Sequence, residues 1–333
     1  MDAGRKLSGF ARYAWFVLGY NVLVILWGVF LRASKSGDGC GQHWLTCRGE
    51  VVPSAPELKT VIEFSHRITS ALDGLIVIAL LIWAIRIWTR GRDRLSKQVL
   101  ISAAGAFLFV LIEGALGAGL VLTGNTAETL TPARPFWMAA HLINTLILLT
   151  LLTITAWTAS GERPVRFVGD RSQLKWIALG VALIFAVGIT GSIAALSSMI
   201  FPSGTITEGF AKDFSATSHM LLRIRPLHPI LAVGSVIFLV FWAGRLKGSK
   251  TLTPAGTRLA TALSALAMLQ LAVGAVTLLT LGPILMQLGH LLLADAVWIV
   301  FVLLSLHLLC QEAAVQVPER HFSPTETIAS SER

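Results

Sequence analysis

Charge is scarce in this chain. Only 14% of its 333 residues are Asp, Glu, Lys or Arg, whereas 54% are hydrophobic and the mean hydropathy is positive. That excludes a soluble globular protein of this length, which could not keep so much apolar surface away from water. No stretch is polar enough to form a separate soluble domain. A small-residue cleavage site is also missing after the first apolar run, Tyr13 to Leu31, which is too long for a signal peptide and reads as a span. Cysteine is nearly absent, at three residues.

What the sequence does contain is a series of apolar runs of roughly 20 residues, the length a helix needs to cross the hydrocarbon of a bilayer. Eight spans are predicted, near 13–32, 62–85, 98–122, 136–158, 174–199, 219–244, 256–280 and 284–311. The net charge of +9 does not point to nucleic acid, because of where the charge lies. Basic residues gather in alternate loops: Arg86, Arg90, Arg92, Arg94 and Lys97; Arg163, Arg166, Arg171 and Lys175; Arg245, Lys247, Lys250 and Arg258. Arg5, Lys6, Arg12 and the C-terminal tail add to them. By the positive-inside rule these loops and both termini are cytoplasmic, in a multi-pass protein of the cell membrane surrounded by lipid. The intervening loops near 33–61, 123–135 and 200–218 are then external, and longer than hairpins require. They are where a lid or partner contact is expected. Cys40 and Cys47 share the first of them, outside the reducing compartment, and are expected to form a disulfide, either structural or able to exchange with another thiol. Cys310 reads as a small buried hydrophobe. Residues 312–333, with Pro318, Pro324 and several Ser, Thr and Glu, read as a disordered cytoplasmic tail.

Histidines anchor an internal repeat. His66 opens span two and His228 span six; Glu113-Gly-Ala-Leu-Gly117 in span three matches Gln270-Leu-Ala-Val-Gly274 in span seven; His141-Leu in span four matches His290-Leu in span eight. The fold expected is all-α and membrane-integral, its eight helices forming two parallel pseudo-repeated four-helix bundles, 10–160 and 171–311. Four is even, so both halves enter the membrane from the same side, unlike an inverted-repeat transporter.

One histidine on an apolar helix is commonly a satisfied core residue. Four of them within two turns of the outer ends of even-numbered helices are different, because strongly polar groups within spans are costly and mark functional paths. At 1.5 Å per residue all four lie roughly 6–15 Å below those ends. Imidazole suits iron, zinc and copper, but no HExxH and no closely spaced Cys or carboxylate set accompanies these residues. Two histidines facing each other across a four-helix bundle suit the axial positions of a haem. The repeat pairs His66 with His141 and His228 with His290. Gly114, Gly117, Gly119 and Gly274 either leave room for the macrocycle or let helices pack closely. His43, His219, His307 and His321 read as non-ligands. The halves differ in one respect: Glu63 lies three residues before His66, on the same face, and Asp73 continues that stripe. The corresponding stretch Leu222 to Pro226 holds Arg223 and Arg225 but no acid. Glu63 is either a reactive carboxylate beside one haem or an interfacial partner of Arg67 or Lys59.

Taken together, Ser36-Gly-Asp-Gly-Cys40-Gly-Gln-His-Trp-Leu-Thr-Cys47, Glu63-Phe-Ser-His66-Arg67, Leu122-Thr-Gly-Asn, Phe136-Trp-Met-Ala-Ala-His141-Leu and Gly289-His290-Leu resemble the haem A synthase family of respiratory membranes. The resemblance extends over 10–311. It departs from the family at Arg32-Ala-Ser-Lys-Ser-Gly37, where Arg-x-Thr-x-Ser-Gly is usual, and at Trp44-Leu45, where Trp-Pro is common. The resemblance implies an oxidoreductase that converts the C8 methyl of haem O to a formyl group, giving haem A for cytochrome oxidase. It further implies that His66 and His141 bracket the substrate haem O, that His228 and His290 ligate the iron of a resident haem b, and that Glu63 is the catalytic acid near the reacting carbon. Haem O synthase, cytochrome oxidase assembly factors and an electron acceptor are the partners it brings with it. The competing class is a non-catalytic di-haem b-type electron carrier or quinone-linked cytochrome, which would place its haems near opposite faces.

Overall fold

The structure, a computed structural model, describes residues 9–92, 94–126, 128–161, 171–248 and 252–310. Arg5, Lys6, Arg163, Arg166, Lys250, His321 and the tail from 311 onward lie outside the described residues.

The order of elements is α1 (Gly9–Ala33), α2 (Leu58–Gly91), α3 (Arg94–Leu122), α4 (Arg134–Ala159), α5 (Arg171–Ile200), α6 (Ile206–Phe214), α7 (Met220–Ile224), α8 (Leu227–Lys247), α9 (Pro254–Leu279) and α10 (Ile284–Cys310). Among the described residues, eight segments are long and apolar enough to cross a membrane, with α7 and α8 forming one of them, Met220–Lys247. Their buried positions follow the helical period. Phe10, Ala14, Val17, Leu18 and Asn21 line one stripe of α1, and Asp73, Val77, Leu80 and Ala84 one stripe of α2. The opposite faces stay apolar as well: Ile78, Ile82 and Ile85 on α2, and Ile230, Val233, Ile237 and Phe241 on α8, are exposed. A helix apolar on both its packed and its open side belongs in lipid.

Helices α1, α2, α3 and α4 contact one another in that order and close into a ring, as do α5, α8, α9 and α10. The even-numbered spans of each ring, α2 with α4 and α8 with α10, are therefore diagonal partners. The rings meet through α1 against α10, α4 against α5 and α4 against α10. Buried Trp298 of α10 ties them polarly, its indole N–H donating to Leu146 O at 2.8 Å and lying 3.1 Å from Thr150 Oγ1. Within the first ring, Asn21 Nδ2 donates to both oxygens of Asp73 at 2.8 and 2.9 Å, so the buried carboxylate that continues the Glu63 stripe is a packing contact between α1 and α2.

Two features depart from the expected pattern. The segment 200–218 contains α6, opened by a reciprocal cap: Thr205 Oγ1 accepts from Glu208 N at 3.1 Å and Glu208 Oε2 accepts from Gly204 N at 2.8 Å. The sixth span is also broken at Pro226, which lacks an N–H and separates α7 from α8.

Candidate histidine sites

His66, His141, His228 and His290 lie eight, seven, eight and six residues after the first residues of their spans, Leu58, Arg134, Met220 and Ile284. All four are half-buried and share one end of the bundle, about 9–12 Å below the helix ends.

The second ring gives the clearest geometry. The rings of His228 and His290 face each other with centroids 6.3 Å apart and planes at 85°. Two metal–imidazole bonds of about 2 Å each, with roughly 1 Å from each nitrogen to its ring centre, span close to that distance. This spacing suits a pair of imidazoles that would hold a haem iron between them. His228 Nδ1 lies 3.1 Å from Val187 O on α5, which leaves Nε2 as the nitrogen free to act as a ligand. His290 Nδ1 has no hydrogen-bond partner among the described residues.

Glycine makes the rings' positions possible. A Cβ on Gly191 of α5 would come within 2.8 Å of His228 Cε1, one on Gly274 of α9 within 2.8 Å of His290 Cε1, and one on Gly28 of α1 within 3.1 Å of His66 Cε1. Each imidazole thus rests directly on the backbone of a neighbouring helix. Of the four glycines singled out from sequence, Gly274 does this. Gly119 accommodates the Trp137 ring, Gly117 lies near Trp44, and Gly114 faces open space. Gly28 and Gly191 escape sequence reasoning, although the repeat relates them.

In the first ring, His141 Nδ1 lies 3.0 Å from Glu113 Oε1. His66 and His141 are close enough to interact electrostatically, and the buried His66 Nδ1 has no hydrogen-bond partner among the described residues. Glu63 is 3% exposed and engaged at both oxygens: Oε1 accepts from Arg67 Nη2 at 2.5 Å and Oε2 from the Cys40 N–H at 2.8 Å. Of the two ion-pair partners considered for it, Arg67 is the one found; Lys59 lies 3.7 Å from Asp38 instead.

The loop carrying Cys40 and Cys47, which are disulfide-bonded and buried, is docked on this site. Arg67 Nη1 donates to His43 O at 2.6 Å and Thr46 O at 3.0 Å, and its guanidinium stands 5.5 Å from the centre of the Trp44 ring. Thr60 Oγ1 donates to Gly39 O at 2.8 Å. Gly39 packs so tightly that a Cβ would run into the Lys59 carbonyl. Lys35 bridges to Glu128 in the loop before α4, and that hydrogen bond holds the exposed Glu128 carboxyl below its usual range.

An acid does stand near the matching level of the second ring, supplied by α6 rather than by the span. Asp213 Oδ1 accepts from Arg225 Nε at 2.9 Å and lies 2.7 Å from its Nη2. Arg225 precedes His228 by three residues, as Glu63 precedes His66, so the two halves carry opposite charges at this position. The remaining histidines have structural roles where described. His219 caps α7, accepting from Leu221 N at 3.2 Å, and His307 Nε2 lies 2.7 Å from Thr253 Oγ1, the residue that caps α9.

Residues 11–302 match the sequence model of a family described as cytochrome oxidase assembly protein. Over 298 residues the chain is 41% identical to a Thermus thermophilus protein named "Protoheme IX farnesyltransferase", an alignment covering 90% of this chain and 48% of that protein. It is 30% identical over 239 residues to "Heme A synthase" of Alkalihalophilus pseudofirmus, covering 70% of this chain and 76% of the relative. With "Heme A synthase" of Halalkalibacterium halodurans it shares 36% identity over 171 residues, 51% of this chain and 54% of the relative. The chain thus spans about half the length of the Thermus protein. Matched over nearly all its spans and across three quarters of a full-length relative, this chain belongs to the haem A synthase family of cytochrome oxidase assembly proteins.

Proposed function

We propose that this protein is a membrane oxidoreductase that converts the C8 methyl of haem O to a formyl group, giving haem A. The observation that carries this reading is the difference between two otherwise similar histidine pairs: three residues before its first candidate ligand the first half has a buried carboxylate, Glu63, where the second has Arg225. In this reading His66 and His141 bracket the substrate in the half 10–160, and His228 and His290 hold a resident haem b in the half 171–311. Two opposed imidazoles supply only two donors, and a porphyrin brings the other four. When bound, the resident haem supplies one-electron redox capacity. The contact pattern supports the parallel halves, since exchanging the rings turns the α1–α10 junction into the α5–α4 junction and leaves α4–α10 unchanged.

Oxidation of the methyl to the aldehyde level removes four electrons and four protons overall, with water supplying the oxygen and an external acceptor taking the electrons. Glu63 contributes fixed negative charge. Both its oxygens are already engaged, which suits it to stabilising positive charge developing on the methyl carbon better than to taking a proton from water. The disulfide loop and Trp44 cover that site and limit water around it. A protohaem-farnesylating enzyme is the partner that would supply the substrate, a pairing consistent with the name and double length of the Thermus relative. The product would pass to cytochrome oxidase assembly factors.

Purified protein incubated with haem O and an electron acceptor should yield a pigment with the formyl-porphyrin spectrum of haem A. A di-haem carrier would bind haem and return it unaltered, and that outcome would sink the reading. Both termini are assigned to the cytoplasm and the histidine end to the outside. Reporter fusions at residues 92 and 165 should be cytoplasmic and those at 45 and 130 external; the reverse pattern would overturn the orientation.

A further inference from the structure

Glu113 is a carboxylate well inside a span, where an acid is costly unless it is partnered and used. It lies on α3, with its side chain 21% exposed, and faces α4. Oε2 accepts from Asn144 Nδ2 at 2.5 Å, while Oε1 meets Thr145 Oγ1 at 2.5 Å and His141 Nδ1 at 3.0 Å. Asn144 is itself fixed by donating to Phe109 O at 2.9 Å. Asn144 and Thr145 follow His141 by three and four residues, so one helical face presents three groups to the same carboxylate. With Nδ1 occupied in this way, Nε2 is the nitrogen that His141 has left to offer.

The second half does not repeat this arrangement: its buried span acid, Asp295, stands on α10 itself, five residues after His290. Gln270 stands where the repeat places Glu113, and Leu293 and Ala294 stand where it places Asn144 and Thr145. There the tethered imidazole is His228, and its acceptor is the neutral carbonyl of Val187. One pair is thus backed by a charged acceptor and the other by an uncharged one. A carboxylate accepting from the far nitrogen of a metal-bound imidazole makes that imidazole a stronger donor, and a stronger donor favours ferric over ferrous iron.

We infer that Glu113 is a positioning residue that orients His141 and strengthens it as an axial ligand, so that haem held between His66 and His141 has a lower reduction potential than haem held between His228 and His290. This rests on the reading of the first half as a haem site. The test uses purified full-length protein carrying its resident haem, loaded with haem O and followed by spectroelectrochemical titration and low-spin ferric electron paramagnetic resonance. The parent should show two waves. Glu113→Gln keeps the side chain's size and removes its charge; it should move the lower wave to more positive potential, shift that haem's resonance, and leave the other wave in place. Gln270→Glu should move the other wave in the negative direction. If both variants bind both haems and neither wave moves, Glu113 is only a packing contact and the inference falls. If Glu113→Gln cannot hold haem O, the Gln270→Glu titration decides: a negative shift supports the inference and an unmoved wave overturns it. A parent that never gains a second low-spin species refutes the haem site itself, a result distinguishable from either of these.

Discussion

Protein with Leu in place of His228 or His290 should purify without the low-spin haem spectrum of the parent. The two rings stand 6.3 Å apart and nearly perpendicular, a separation set by helices packed on either side and held by Gly191 and Gly274. Low-spin bis-imidazole iron needs both axial bonds, and after one is deleted nothing described nearby takes its place. The loss should be close to complete. His66→Leu and His141→Leu should leave the resident spectrum largely intact. A further variant separates ligation from mere disturbance: Gly274→Val keeps both histidines, but its Cβ would sit 2.8 Å from His290 Cε1 and must push the ring off the axis. It should weaken or shift the spectrum without removing a donor. If the signal instead disappears only with His66 or His141, the assignment of the resident haem to the second half is inverted.

The eight spans are legible because continuous apolar runs leave little alternative in a bilayer, and each is found within a few residues of its expected position. Where the boundaries differ by more than one residue, the helix outruns the apolar run. The apolar run places the second span at 62–85, but α2 continues from Leu58 to Gly91 through Arg86 and Arg90, because polar residues extend a helix past the hydrocarbon without adding to its hydropathy. Helix α6 is not legible for the related reason that it is short and amphipathic. Its Thr-x-x-Glu cap at Thr205 and Glu208 is the available signal. The histidines can be found from sequence because a polar residue in an apolar run stands out. Their supports cannot: Gly28 and Gly191 look like any span glycine until the ring resting on each is seen. Glu113 is visible as a repeat marker, but its bond to His141 depends on how α3 and α4 are rotated against each other. Likewise, Asp213 reaches Arg225 from a different helix, so a comparison confined to the stretch just before His228 finds no acid there.

Glu63→Gln should abolish most turnover while sparing the fold. Glu63 lies one turn before His66, and in the parent it accepts from Arg67 and from the Cys40 amide. Glutamine keeps the size and one acceptor oxygen but turns an NH2 group toward the other donor, so one of those two bonds is lost. Removing one partner of a buried ion pair is destabilising by about 3–5 kcal/mol when the remaining charge has no other contact. Here Arg67 retains the carbonyls of His43 and Thr46 and the face of Trp44, which lessens that penalty and keeps the disulfide loop docked. The chemical effect is expected to be larger than the structural one. A preorganised carboxylate that stabilises developing positive charge contributes on the order of 10²-fold or more to rate. The variant should therefore retain its resident haem spectrum and accumulate haem O, or the hydroxylated intermediate, in place of haem A. Glu63→Asp, which keeps the charge on a shorter arm, should recover part of the activity if charge is what matters. Haem A output equal to the parent's from Glu63→Gln, at matched protein levels, would falsify the catalytic role and leave Glu63 as the anchor that fastens Arg67 and the Cys40 amide to α2.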